Sequence, residues 1–136
     1  MSFADYEWNE PYERCKAKGD TRAIAALRDS YLKAADLSAD YYRDLSHTLY
    51  RRDIPYVLLM HIGAFDAEML PNLLRLYKSK GFQFVTLENA ERDQFYRSSI
   101  NPHLPNPDSL EGAIADRHLP LPTRPVPAVG LASICR

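Results

Sequence analysis

The amino-acid sequence predicts an α/β fold, in which helices pack against a parallel sheet, and three features carry this prediction. Apolar residues recur at spacings of three and four within residues 21–50, as they do on one face of an amphipathic helix. The continuous apolar run at residues 56–60 is typical of a strand that is buried on both faces. A helical pattern and a second strand-like segment, residues 82–87, follow it, so that strand, helix and strand form a βαβ unit.

The amino-terminal residues predict a loop-rich segment with one helical turn at most. This segment is rich in aromatic residues, but Pro11 and Gly19 argue against one long helix. Asp20 is the predicted N-cap of the next helix, because its side chain can accept a hydrogen bond from a free amide group of the first turn. One uninterrupted helix over residues 21–50 and a helix broken near Leu37 both fit the pattern.

Turn-forming residues bound the predicted βαβ unit. Pro55 disfavours helical geometry at the residue before it and ends the long helix. Asp66 is the predicted cap of the second helix, Pro71 is tolerated only near its start, and Gly81 suits the position just beyond its end. The predicted inner face of this helix consists of Met69, Leu70, Leu73, Leu74 and Tyr77.

The carboxyl-terminal part of the chain is rich in proline and predicts an extension instead of core. Residues 119–127 read as polyproline II, and residues 110–118 predict one short helix that Asp108 or Ser109 caps. We therefore divide the chain into residues 1–97, which hold the α/β elements, and a Pro-rich extension over residues 98–136. The turn signals of the extension are Asn101-Pro102, Leu104-Pro105 and Asn106-Pro107.

Composition excludes some classes of partner. The 136 residues include 17 basic and 18 acidic side chains, so the net charge of −1 gives no reason to expect nucleic acid or an acidic membrane as the main partner. No apolar run is long enough to span a membrane, and the first residues do not form a signal peptide. The localisation stays unknown. Cys15 and Cys135 can form one disulfide bridge or none.

His61 is the sharpest candidate for chemistry. It follows the apolar run at what would be the carboxyl end of a strand, where α/β folds place their sites. A histidine there can act as general acid or base, although a histidine that only bonds backbone would occupy the same position. The second candidate is the acidic and aromatic stretch Asp5-Tyr6-Glu7-Trp8, in which a carboxylate could orient a cationic partner while the rings line a sugar-sized pocket. An exposed acidic turn with aromatic rings in the core is the simpler interpretation.

The remaining polar residues predict structural roles. Asp66 and Glu68 read as the acidic first turn of a helix, which the helix dipole favours. His47, His103 and His118 have no partner at metal-ligand spacing. The sequence contains no phosphate-binding glycine loop and no GxSxG motif.

Two motifs in order resemble the polysaccharide deacetylase (NodB-homology) family. One is Leu58-Leu59-Met60-His61, which a helix and the segment GFQFVTLE at residues 81–88 follow. The other is FADYEWN, which is similar to the family's Asp-x-x-Asp-Trp motif, with Asp5 as the second Asp and Tyr6 in place of the Trp. Ser2 stands where the first Asp would be. The resemblance covers roughly residues 2–96.

The resemblance implies an irregular (β/α) barrel whose members remove acetyl groups from N- or O-acetylated sugars with a divalent metal such as zinc. By position, His61 would be the acid toward the leaving group, and Asp5 would orient an arginine supplied from elsewhere. Tyr6, Trp8 and Leu59 would help to line the substrate pocket.

The motifs for the metal ligands and the base have no match in this sequence, although such a deacetylase needs its metal. We therefore expect the chain to be the carboxyl-terminal part of a deacetylase domain, inactive and poorly stable alone, with the amino-terminal half as its missing partner. The alternative is a non-enzymatic α/β interaction module that pairs with another chain through an open sheet edge.

Overall fold

The computed structural model is built from helices, and the prediction of an α/β fold is wrong. It describes residues 1–99, 109–125 and 130–136. Within these ranges there are six α-helices and two short 3-10 helices, and no strand or sheet. The α-helices are α1 (Asn9–Ala17), α2 (Thr21–Tyr50), α3 (Ala64–Ser79), α4 (Leu87–Ala90), α5 (Gln94–Ser99) and α6 (Leu110–Asp116); the 3-10 helices are Asp5–Trp8 and Leu131–Ser133.

The amino-terminal segment is more helical than the sequence predicts. The 3-10 helix Asp5–Trp8 runs directly into α1, which contains Pro11 at its third residue. Proline is harmless there, because the first amide groups of a helix have no partner within the helix. Gly19 ends the segment in the left-handed conformation with φ +66°, which a glycine adopts without steric cost.

The long helix is confirmed, and it has no break. Asp20 accepts a hydrogen bond from the amide of Ala23 at 2.9 Å, which is the predicted N-cap. At about 1.5 Å per residue, α2 is on the order of 45 Å long. No helix in the described parts of the chain is both long and apolar enough to cross a membrane.

The two predicted strands are extended but do not pair. Residues 53–63 and 82–86 have no regular secondary structure, and neither segment joins a sheet. A strand is stable only when a neighbour takes up its amide and carbonyl groups, and the described residues supply no such neighbour. Five apolar side chains of these segments are exposed, namely Val57, Leu59, Ile62, Phe84 and Val85, whereas Ile54 is buried.

The helix between these segments is confirmed, although its details differ from the prediction. Gly63, not Asp66, precedes the first residue of α3, and Pro71 lies in the helix interior. Three of the five predicted inner residues are buried, namely Met69, Leu73 and Tyr77, whereas Leu70 is exposed. Asp66 is buried with them.

The chain divides into two compact units that interleave along the sequence. Unit I contains Met1, Ala39–Val57 and Gln83–Arg124, and unit II contains Ser2–Ser38, Leu58–Phe82 and Pro125–Arg136. In unit I the core consists of Tyr41, Leu45, Ile54, Leu110 and Ile114. The domain boundary between residues 97 and 98 stays a prediction.

Unit II is built around an aromatic cluster. The ring of Tyr31 packs edge-on against Phe3, Trp8 and Phe65, with ring centroids 5.0 to 5.5 Å apart. Such edge-to-face contacts suit the charge distribution of aromatic rings. A disulfide joins Cys15 of α1 to Cys135, so the structure resolves the alternative that the sequence left open.

The predicted short helix of the extension is present as α6. Ser109 caps it by accepting a hydrogen bond from the amide of Gly112 at 2.8 Å. Asp108, His103 and the turn signals at residues 101–107 lie outside the described residues, as do residues 126 and 127 of the polyproline segment.

Candidate functional site

Asp5 and His61 meet in unit II, and they form the centre of the candidate site. One carboxylate oxygen of Asp5 accepts a hydrogen bond from the backbone amide of His61 at 2.7 Å. The other oxygen lies 2.8 Å from Nδ1 of the His61 ring. Because the same carboxylate holds both the backbone and the ring, it fixes the position and the orientation of the imidazole.

Local structure explains why Asp5 can reach His61. Ala4 adopts the left-handed conformation, with φ 56°, and turns the chain into the 3-10 helix that begins at Asp5. The Asp5 side chain is completely buried, whereas the side chain of His61 is 42% exposed. A buried carboxylate needs partners for its oxygens, and His61 supplies one for each.

The His61 ring is partly exposed on the side away from Asp5. With Nδ1 bonded to Asp5, the second ring nitrogen, Nε2, has no hydrogen-bond partner within the described residues. Tyr6, which is 54% exposed, packs edge-on against the ring with centroids 4.8 Å apart. The arrangement therefore presents a partly exposed proton donor or acceptor beside an exposed aromatic ring.

A second histidine provides a useful contrast. His47 in unit I lies 3.3 Å from Asp53, but both side chains are more than half exposed. A pair in water contributes little and does not hold its geometry. The buried carboxylate is thus what distinguishes His61 from an ordinary surface histidine.

The other predicted site residues separate into two environments. Leu59 is 58% exposed and lies two residues before His61 in the extended segment. Trp8 has no exposed surface; its ring packs in the aromatic cluster, and its Nε1 donates to Ser30 at 2.8 Å. Tyr6, Leu59 and His61 therefore present surface in unit II, whereas Trp8 belongs to the core of that unit.

Asp5 has a different partner from the arginine that the family resemblance implies. Both of its oxygens contact His61, and its side chain has no exposed surface. Its negative charge also reaches Tyr77: burial raises the pKa of that hydroxyl, and the nearby Asp5 carboxylate raises it further.

A network beside the pair was missed by sequence reasoning. Asn9 accepts a hydrogen bond from the amide of Phe65 at 3.0 Å and donates to the carboxylate of Asp66 at 2.6 Å. Tyr31 donates to the other oxygen of Asp66 at 3.2 Å. Burial raises the pKa of Asp66, and the hydrogen bonds from Asn9 and Tyr31 oppose that shift. The only sequence signal was that Asn9 ends the FADYEWN stretch.

Glu68, predicted to act only through the helix dipole, has two specific partners. It accepts a hydrogen bond from the Tyr12 hydroxyl at 2.7 Å and from Arg28 at 2.8 Å. The Tyr12 hydrogen bond lowers the pKa of Glu68, and the Arg28 charge lowers it further. These contacts link α1, α2 and α3 within unit II.

The metal that the resemblance implies does not fit the described residues. Over residues 1–99, 109–125 and 130–136, no group of three or more His, Cys, Asp or Glu side chains is arranged to hold a metal ion. Comparisons with protein-family models, with curated proteins and with solved structures each returned no match to this chain.

Proposed function

We propose that His61 is the acid–base residue of a site that removes acetyl groups from acetylated sugars, and that Asp5 is its positioning residue. The observation that carries the proposal is the double contact of the buried Asp5 carboxylate with the amide and Nδ1 of His61. Oriented imidazoles of this kind transfer protons efficiently near neutral pH.

In the proposed step, the protonated His61 ring gives its Nε2 proton to the leaving nitrogen or oxygen of the sugar. The proton goes to the leaving group as its bond to the acetyl carbon breaks, and the ring becomes neutral. The Nδ1 proton stays in the bond to Asp5, so the neutral ring forms as the Nδ1-protonated tautomer and keeps its orientation.

The substrate class rests on the resemblance of two motifs to carbohydrate deacetylases. The geometry is compatible with that class, because the exposed Tyr6 ring packs against the proposed acid and Leu59 is exposed two residues before it. An exposed aromatic ring is a suitable platform for the apolar face of a sugar.

The proposal assigns only part of an active site to this chain. Activation of the attacking water requires a base, and the family chemistry also requires a metal, but no residue of this sequence matches those motifs. We therefore propose that a second polypeptide segment supplies them and that the chain by itself releases no acetate.

The test is nuclear magnetic resonance of the full chain with an N-acetylated chitooligosaccharide. The sugar is expected to shift the ring signals of His61 and Tyr6, and the fully deacetylated oligosaccharide is expected to shift them less. His47 is the matched control, because it is also a partly exposed histidine beside an aspartate. Its signals should not move.

Two results would overturn the proposal. The first is the absence of any sugar-induced shift at His61 up to the solubility limit of the oligosaccharide. The second is metal-dependent acetate release by the purified chain, which would mean that this chain contains the complete machinery. A His61→Ala variant that still gives the same Tyr6 shifts would confine the error to the role of the histidine.

A second candidate function is self-association through the extended segments. Leu59 and Ile62 are exposed within a segment that has no strand partner among the described residues, and the side chain of Ile62 is fully exposed to solvent. Such a segment can pair with an equivalent one of another copy. Sedimentation equilibrium should then reveal association that Ile62→Lys weakens. A chain that is monomeric at every concentration would contradict this candidate.

A further inference from the structure

We infer that Asn9 is a second positioning residue for His61, acting through the loop that joins His61 to α3. This inference rests on the proposed role of His61 as the acid–base residue. Asn9 touches neither ring nitrogen of His61, so its effect would be indirect.

The loop is anchored at both ends to one continuous helical segment. Asp5, at the start of the 3-10 helix, holds the backbone amide of His61 at 2.7 Å. Asn9, at the start of α1, holds the backbone amide of Phe65 at 3.0 Å. Because the 3-10 helix runs directly into α1, the two anchors keep a fixed spacing. The loop between residues 61 and 65 therefore cannot shift at one end without straining the other.

Gly63 lies in the middle of this loop, and its lack of a side chain is explained by Asn9. Its backbone is extended, with φ −154°, a conformation that any residue can adopt. A Cβ atom at this position would overlap three side-chain atoms of Asn9, namely Oδ1, Cγ and Nδ2. The space that a side chain would need is thus occupied by the amide of Asn9, and the loop closes tightly over it.

Asn9 is itself held by buried groups. Its Nδ2 donates to Asp66 at 2.6 Å, and Asp66 is 3% exposed. The hydroxyl of Tyr31, in the centre of the aromatic cluster, donates to the same carboxylate. A hydrogen bond to a buried carboxylate is strong. Because this one holds Nδ2 of Asn9, it directs the amide oxygen Oδ1 at the backbone amide of Phe65. The core of unit II therefore sets the position of the loop through Asn9.

An ordinary helix cap would explain part of this geometry but predicts a different result. Asn9 does satisfy an amide in the first turn of α3, where α3 has no side-chain cap of its own. If that were its only role, removing it would lower stability and leave the bond between Asp5 and the His61 ring unchanged. If Asn9 positions His61, the ring contact weakens as well.

The experiment compares Asn9→Ala with the unchanged full chain by nitrogen-detected spectroscopy of the histidine rings. We expect the proton on Nδ1 of His61 to exchange with solvent about tenfold faster in the variant, the effect of weakening one hydrogen bond. His47 supplies an internal control within each sample. Asp20→Ala, which removes the cap of α2 far along the chain from the loop, is the control for lost stability.

Gly63→Ala perturbs the same contact from the other side, because the added methyl group must displace the Asn9 amide. It should also speed the exchange of the His61 ring proton. In the double variant Asn9→Ala with Gly63→Ala, the His61 ring proton should exchange no faster than in Asn9→Ala alone, because the side chain that the added methyl group would displace is absent. This lack of additivity identifies the contact.

The inference is overturned if either folded variant keeps the His61 ring proton as protected as in Asp20→Ala. Should both variants fail to fold, the unchanged chain decides the matter by native-state hydrogen exchange. The amides of His61 and Phe65 should then open together, with protection equal to within about threefold; independent opening would refute the coupling. These readouts require no sugar, so a failure of sugar binding leaves them intact and identifies an error in the proposed function alone.

Discussion

Two buried carboxylates in unit II differ in what their partners leave available. Asp5 contacts a ring nitrogen and an amide of one residue, and the opposite side of that ring stays accessible. Asp66 receives its hydrogen bonds from Asn9 and Tyr31, two groups that do not titrate near neutral pH, and its side chain is enclosed. Asp5 is therefore suited to support a proton-transfer group, and Asp66 is suited to support structure.

Asp66 predicts a specific dependence of stability on pH. Burial raises its pKa in the folded chain, so the folded state holds the proton more tightly than the unfolded state does. The contribution of Asp66 to stability is then fully present below the unfolded value, about 4, and is lost as the pH rises through the raised folded value. The free energy of unfolding of the unchanged chain minus that of Asp66→Asn should therefore fall over this range.

Urea unfolding at a series of pH values measures this difference. Tyr12 lowers the pKa of Glu68 and Arg52 lowers the pKa of Asp93, so these two groups make stability rise with pH. Both groups are present in both chains, and their contributions cancel in the difference. A difference that does not change with pH would contradict the prediction. A loss of stability in Asp66→Asn that is the same at every pH would leave the pKa of Asp66 unexplained, because only the change of the difference with pH reports that pKa. Such a result therefore also counts as a difference that does not change with pH.

The sequence pointed to His61 and Asp5 but not to the residues that hold them. Both stood out by type and by motif, and the fold brings them together across 56 positions. Asn9 and Tyr31 are ordinary in sequence, and their roles depend on a distant backbone amide and a distant carboxylate. Trp8 shows the converse case, since an aromatic residue beside a motif can equally belong to the core.

Among the elements, α2, α3 and α6 were predictable because their signals are local, whereas α1, α4 and α5 were not predicted. The apolar spacing and the cap at Asp20 determine α2, and Ser109 determines α6, from residues within one turn. A strand is different, because its stability depends on a partner that its own sequence does not contain. The apolar runs at residues 56–60 and 82–87 therefore predicted strands, and in the described residues both segments lack that partner.

The cap of α2 can be tested by substitution. Asp20→Ala removes the acceptor for the Ala23 amide and should lower the free energy of unfolding by about 1 kcal/mol. Asp20→Asn keeps an oxygen acceptor and should lower the free energy of unfolding by only a small part of the loss in Asp20→Ala. Chemical denaturation followed by helical circular dichroism measures both. Equal losses in the two variants would mean that the charge of Asp20, not its cap, matters.

For the whole molecule, the disulfide is the long-range contact that the sequence left open. Cys15 and Cys135 are 120 positions apart, and only the folded chain brings them together. The last residues reach Cys15 through further contacts: Arg14 donates to the carbonyl groups of Leu131, Ala132 and Ile134, and Lys18 donates to that of Arg136. The bridge therefore joins two segments that hydrogen bonds already hold together.

Reduction of this bridge should produce a large loss of stability in a chain that is otherwise unchanged. Closing a loop of this length restricts the unfolded state, which corresponds to about 4 to 5 kcal/mol in the chain-entropy account. Urea unfolding with and without dithiothreitol measures the effect, with thiol titration to verify reduction. The free energy of unfolding of the Cys15→Ala, Cys135→Ala double variant should equal that of the reduced chain, apart from the loss of the buried Cys15 sulfur atom. Dithiothreitol should not change the stability of this variant. Equal stability of the oxidised and reduced chains would contradict this prediction.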